Sequence, residues 1–120
     1  QKTDEELIAL LKLCKIDSLA GNLDMEADWS HVLSIGEQQR LAFVRTIVYE
    51  PTWLFLDEAT SALDEDTEKA MYNLLAERLT ATTVVSVGHR STLNKFHLLA
   101  IKLDKATASA VLQKIDNGIN

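Results

Sequence analysis

The chain has 120 residues, enough for one small domain or a piece of a larger one, and its 47% apolar and 25% charged content is that of a folded domain rather than a disordered tail. A formal net charge of −6 at pH 7 argues against a surface built to coat nucleic acid, which needs a basic face. A single cysteine, Cys14, excludes an internal disulfide framework and points to a reducing compartment.

Thr3-Asp4-Glu5-Glu6 reads as a capping box, in which the Thr3 hydroxyl and the Glu6 carboxylate satisfy free backbone N–H groups. Leu7, Leu10, Leu11 and Cys14 then repeat at helical spacing, so a first helix should run to about Cys14, with the thiol as a small buried hydrophobe rather than a nucleophile. Lys12, Lys15 and Asp17 interrupt this richest apolar stretch, so it does not reach the length of a membrane span. The chain opens on Gln1 with no signal-peptide pattern behind it, the expected look of a trimmed fragment. Residues 15–32, with Gly21, Asn22 and several acids, read as a looser connector with room for a short helix.

Ser34-Ile35-Gly36-Glu37 is a second capping box, and Leu41, Val44 and Val48 fall on one face of the helix it opens. Glu50-Pro51 ends that helix, because the residue before a proline avoids helical geometry. Trp53-Leu54-Phe55-Leu56 is a continuous apolar run that predicts a strand buried on both faces. A third helix should begin near Asp64, with Met71, Leu74, Leu75 and Leu79 as its apolar stripe. Residues 82–87, β-branched except for Ser86 and closed by Gly88, read as a second buried strand, so strand, helix and strand form the crossover unit of a parallel α/β sheet. Leu98 to Leu103 and Ala110 to Ile115, separated by a polar stretch, predict a hairpin at the edge of that sheet.

A parallel sheet places ligands at the carboxyl ends of its strands. The first strand ends in Asp57-Glu58 and the second in Gly88-His89, so topology sends two carboxylates and an imidazole to one rim. Four apolar residues followed by Asp-Glu is the Walker B pattern, where the aspartate holds Mg²⁺, usually through water, and the next carboxylate polarises the attacking water. Acids that simply cap the next helix, and a histidine with an ordinary hydrogen bond, would give the same residues. Taken singly, these motifs leave both readings open.

The set is more specific. Leu33-Ser34-Ile35-Gly36-Glu37-Gln38-Gln39-Arg40 resembles the ATP-binding-cassette signature, usually written Leu-Ser-Gly-Gly-Gln. Asp57-Glu58-Ala59-Thr60-Ser61-Ala62-Leu63-Asp64 is similar to that family's Walker B and D-loop, and Val87-Gly88-His89-Arg90 to its switch-histidine segment, in family order. The resemblance implies an α/β fold, the C-terminal part of a P-loop NTPase. Residues 1–33 would be part of the helical subdomain and connector, and residues 34–120 the C-terminal half of the ATPase core. It also implies ATP and Mg²⁺ as cofactors and a head-to-tail dimer with a second nucleotide-binding domain. In such a dimer Glu58 would be the general base, Asp57 would place Mg²⁺, and His89 would contact the γ-phosphate. Ser34, Gly36 and Glu37 would face the ATP of the other subunit, while Ser61, Ala62, Leu63 and Asp64 would line the dimer interface.

Ser34 carries independent physical support, since a helix N-terminus favours an anion, although a plain N-cap needs the same residue. Asp64 is equally double, and Arg40 and Arg45 read as the solvated or ion-paired face of the signature helix. Two residues depart from the family pattern: Ile35 replaces a glycine and disfavours a positive φ, and Glu37 replaces glutamine and adds charge unless it is drawn into the capping box. The wording of the signature, with Asp28-Trp29 before it and Ser86-Val87-Gly88-His89-Arg90 after, resembles the fused half-transporters related to fatty-acyl exporters and bacterial peptide-uptake proteins. Those tolerate both departures.

A phosphate-binding loop ends in Gly-Lys-Ser/Thr. The glycines here are Gly21, Gly36, Gly88 and Gly118, and none precedes a lysine, so the chain holds no Walker A and is expected to be inactive alone. The leading expectation is the ATPase module of a membrane transporter, on the cytoplasmic side, with a transmembrane domain fused upstream and no nucleic acid as partner. A soluble cassette ATPase of DNA repair or translation is the alternative, against which stand the lack of heptad runs and the acidic balance. A non-catalytic interaction domain is disfavoured by the intact Asp57, Glu58 and His89.

Overall fold

The computed structural model describes residues 1–116, which form two compact units, one from Gln1 to Val87 and one from Gly88 onward. In the first, helix α1 (Asp4–Leu13) starts at Thr3, whose hydroxyl accepts from the Glu6 N–H while the Glu6 carboxylate accepts from the Thr3 N–H, the full capping box. A 3₁₀ turn (Asp17–Leu19) and the four-residue α2 (Trp29–Val32) occupy the connector. Helix α3 (Ile35–Tyr49) opens on the Ser34 capping box and ends at Glu50, held in the left-handed region at φ 53°, so the residue before Pro51 does leave helical geometry.

Strand β1 (Trp53–Asp57), helix α4 (Glu65–Arg78) and strand β2 (Thr83–Val87) follow, and the two strands pair in parallel from Trp53 opposite Thr83 to Asp57 opposite Val87. The expected strand–helix–strand unit is present. Its helix is capped by Asp64, whose carboxylate accepts from the Thr67 N–H at 2.7 Å. Met71, Leu74, Leu75 and Leu79 are all buried, as their spacing predicts.

Two expectations about faces need correction. The buried stripe of α3 is Phe43, Val44 and Ile47, with Leu41 half-buried and Val48 exposed. Phe43 sets this orientation by meeting Tyr72 of α4 edge-on at 6.1 Å between ring centres, and an aromatic ring outweighs the aliphatic residues competing to face inward. β1 is not buried on both faces either. Leu54 and Leu56 face the layer that α4 covers, where the Tyr72 hydroxyl bonds Ser86 beside Leu56, whereas Trp53 and Phe55 are 59% and 71% exposed and stack on each other. A run of four apolar residues thus behaves as an alternating strand, because no described element of this unit covers its second face.

In the second unit a 3₁₀ helix (Ser91–Phe96) leads to an antiparallel hairpin of β3 (Leu99–Asp104) and β4 (Ser109–Lys114), paired from Leu99–Lys114 to Asp104–Ser109. The hairpin is where the apolar runs put it, but it forms a sheet separate from the parallel one, since among the described residues its strands exchange ladder bonds only with each other. Its turn is closed by the Asp104 carboxylate, which accepts from the Ala106 and Thr107 N–H groups, and Ala108 takes the left-handed conformation.

The core of the first unit runs from the end of α1 through α3 to α4. Cys14 is fully buried there, and burial pushes its thiol up from an ordinary 9.0 to about 11. The raised value makes the protonated thiol part of the fold. Its contribution is complete below pH 9.0 and fades as pH rises toward 11. Cys14 should therefore resist thiol reagents at pH 8 until the unit is unfolded with denaturant; rapid labelling of the native chain would contradict its burial.

Candidate nucleotide and D-loop site

Apart from His89, the residues singled out by the sequence gather around two chain features, the N-terminus of α3 and the turn that leaves β1. At the first, Ser34 sits in an extended conformation (ψ 164°). Its hydroxyl oxygen accepts from the Glu37 N–H at 3.2 Å, and its own N–H donates to the Glu37 carboxylate at 3.1 Å. These bonds, with the Arg40 guanidinium further off, hold the Glu37 carboxyl below its ordinary range. The glutamate that replaces glutamine is thus turned back on its own helix. The Ser34 hydroxyl keeps its proton for an outside acceptor, and the first N–H groups of α3, at Ile35 and Gly36, have no intrahelical carbonyl to reach. Ile35 is 68% exposed and lies within the helix, so its branched side chain imposes no left-handed strain.

At the second feature, Asp57 closes β1 as an exposed carboxylate, and Glu58 follows in the left-handed region at φ 51°. For a side-chain-bearing residue that conformation costs about 1–3 kcal/mol and persists only where surrounding bonds over-determine it. They do so here. The Glu58 N–H donates to the Val87 carbonyl at 2.8 Å, extending the β1–β2 ladder by one bond, and the Glu58 carbonyl accepts from the Ser61 N–H at 3.2 Å. The Leu63 N–H then donates to the Thr60 carbonyl, so residues 58–63 form two overlapping turns.

The structure brings the two features together. Gly36 lies against the turn, and a Cβ placed there would be 3.5 Å from the Ala62 carbonyl oxygen and 3.7 Å from a Leu63 methyl, ordinary contact distances. Gln39, which the sequence reading did not single out, makes the bond between them. The Gln39 amide nitrogen donates to the Ser61 hydroxyl at 2.9 Å and to the Glu58 carbonyl at 3.4 Å, while its oxygen accepts from the Ala62 N–H at 3.0 Å. From the other side, the buried Thr60 hydroxyl donates to the Glu68 carboxylate of α4 at 2.6 Å, and Glu68 is only 1% exposed. Gln38 ties α3 backward, donating to the carbonyls of Leu33 and Ser30. A glutamine five residues after the signature serine is the one sequence signal that could have marked Gln39.

Arg40, read as solvated or ion-paired, is half-buried with Nε enclosed, and its guanidinium lies near enough to Glu37 and Asp64 to favour both charged carboxylates. Asp64 is held low chiefly by the Thr67 backbone bond. Arg45 is exposed. His89 is exposed and belongs to the second unit, two residues beyond the Val87 that Glu58 touches. Mg²⁺ suits the donor set in one respect: Asp57 is an accessible carboxylate at a strand end. Because Mg²⁺ ordinarily takes one or two carboxylates together with phosphates, it does not need the cage of three or more side chains that the described residues lack. An open groove of about 940 Å³ between α1, α3 and β1, lined by Leu7, Val44, Tyr49 and Trp53 among others, contains none of the residues named for chemistry.

The Glu37 bonds have a pH signature. Because its carboxyl is lowered in the fold, its contribution is present above its ordinary 4.5 and is lost as pH falls through the lowered value. Amide exchange at the start of α3 should quicken below pH 4.5 in the native sequence, and Glu37→Gln should remove that acid step. An identical acid profile in both would refute the capping role.

The family described as ABC transporter matches residues 2–61. An ABC transporter ATP-binding protein of Haemophilus influenzae is 49% identical over 92 residues, which are 77% of this chain and 16% of that protein. The chloroplastic ABC transporter D family member 2 of Arabidopsis thaliana is 43% identical over 106 residues, 87% of this chain and 15% of that protein. The human lysosomal cobalamin transporter ABCD4 is 43% identical over 105 residues, 83% of this chain and 17% of that protein. The chain therefore spans about one-sixth of the length of these curated relatives. No helix among the described residues is long and apolar enough to cross a membrane. By the family match and by this level of identity, the chain belongs to the ABC transporter family.

Proposed function

We propose that this chain is the signature-to-switch half of a nucleotide-binding domain that hydrolyses ATP to drive a membrane transporter. Residues 1–33 act as part of the helical subdomain and connector, and residues 34–120 as the C-terminal half of the core. The observation that carries the reading is the left-handed Glu58 at the end of β1, fixed by Val87 on one side and by the turn on the other. Unlike Glu50 at a helix end and Ala108 in a hairpin turn, Glu58 takes this conformation at a strand end beside Asp57, where strain of this kind often accompanies function.

Glu58 acts as the general base, accepting the proton of the attacking water. Asp57 holds Mg²⁺, through water, and the ion supplies charge neutralisation on the phosphates. His89, just past β2, contacts the γ-phosphate. At the other end of the unit the free Ser34 hydroxyl proton and the Ile35 and Gly36 N–H groups meet the nucleotide of a second nucleotide-binding domain, where the positive end of α3 favours the phosphates. Glu37 keeps its charge in the capping box and Ser61–Asp64 line the interface between the two domains. The phosphate-binding loop and the transmembrane domain come from upstream sequence, which places the module on the cytoplasmic face of its membrane. The chain by itself neither holds ATP tightly nor turns it over. The relatives named above are transporters, and this favours transport over a soluble cassette ATPase of DNA repair or translation.

In the full-length protein, Glu58→Gln keeps the size and hydrogen bonding of the side chain but removes the base. ATP binding should remain, and hydrolysis should fall by 10²-fold or more, roughly the contribution of a positioned base. Hydrolysis at the native rate would rule out Glu58 as the base.

A further inference from the structure

Three features of the first unit compete as carriers of something further: the apolar face of Trp53 and Phe55, the groove between α1, α3 and β1, and the Gln39 amide. Nothing in the structure shows what covers the first two. Gln39 is different, because both of its amide atoms are engaged and every partner lies in the turn that carries the candidate base.

We infer that Gln39 is a positioning residue: its side chain clamps the turn at Glu58–Ala62 to the serine end of α3, so that the candidate base and the anion-binding helix end form one rigid piece. The inference rests on the function proposed above. The physical case begins with Glu58. A left-handed glutamate relaxes unless its peptide groups are held, and its N–H is fixed by β2 while its carbonyl is shared between the Ser61 N–H and the Gln39 amide. The amide is matched to the turn in polarity. Its nitrogen faces a carbonyl and a hydroxyl, and its oxygen faces the Ala62 N–H, an arrangement no other side chain of this length reproduces. The Ala62 carbonyl in turn lies against Gly36, two residues past Ser34. A shift of the turn is therefore transmitted to the start of α3, and a nucleotide pressing on Ser34 loads the backbone of Glu58. On the far side, Thr60 and the buried Glu68 hold the same turn to α4, so it has no freedom to relax away from Gln39.

The test uses the full-length protein. Gln39→Met keeps the volume of the side chain and loses every bond. Gln39→Glu keeps the acceptor for Ala62 and loses the donor to Ser61 and Glu58. Loss of two or three hydrogen bonds from a positioned base should lower kcat by about tenfold or more in Gln39→Met, with KM for ATP within about twofold. Gln39→Glu should not restore kcat. The decisive reading is amide exchange at residues 58–62, which should quicken in Gln39→Met while the melting temperature and ATP binding in a Glu58→Gln background stay unchanged. Native kcat and native exchange in Gln39→Met would overturn the inference. If that variant does not fold, the wild-type protein decides: slow exchange of the Ala62 amide supports the clamp, and exchange as fast as in an unstructured peptide overturns it. If Glu58→Gln hydrolyses ATP normally, the function proposed above fails, while the exchange readings still judge the clamp.

Discussion

A single side-chain amide joins the two parts of this unit that carry chemistry. Gln39 leaves the first turn and a half of α3 and reaches across to residues 58–62, binding a carbonyl, a hydroxyl and an N–H at once. The turn it grips carries a strained Glu58 and exposed Ser61 and Ala62, so bonds from its neighbours add to its own. The ladder bond from Glu58 to Val87 fixes one end of the turn and the Asp64 cap of α4 fixes the other. Between those ends, Gln39 and the buried Thr60–Glu68 pair determine where the backbone runs. The edge-on contact of Phe43 with Tyr72 ties α3 to α4 one layer deeper.

Much of this was legible in the sequence because it is local. Both capping boxes are written in four consecutive residues, and both form as read, at Thr3–Glu6 and Ser34–Glu37. Asp64 as a helix cap, the stripe of Met71, Leu74, Leu75 and Leu79, and the two parallel strands also follow from short-range pattern. What escaped was decided by residues far apart in the chain. Gln39 reads as one more polar residue on a helix, and its partners lie 19 to 23 positions away. Glu68 reads as a solvated acid of an N-terminal turn until Thr60 is found beside it. The apolar run of β1 could not say which of its faces would be covered, and the tail hairpin could not say which sheet it would join. The exchange of Leu41 and Val48 for Phe43 and Ile47 in the core has the same origin, since periodicity gives a stripe but the partner ring chooses its centre.

The two ends of the unit serve different nucleotides in the function proposed here. Glu58 and Asp57 act on ATP held by the same copy, and the Ser34 end of α3 on ATP held by a partner domain. No glycine of the chain precedes a lysine, so the function proposed here takes the phosphate cradle of the first site from sequence outside these 120 residues. A rigid link between the two ends then has a physical consequence. Engagement of one nucleotide is felt at the base of the other site through the backbone, with no need for motion of the sheet.

Covalently linked dimers of the full-length transporter test the central claim directly. With Glu58→Gln in one half and Ser34→Arg in the other, both substitutions strike the same site and leave the second intact. With both in one half, each site carries one of them. If the two ends serve different nucleotides, the split arrangement retains ATP turnover and the combined arrangement does not. Equal turnover in the two arrangements, or the reverse order, would contradict it.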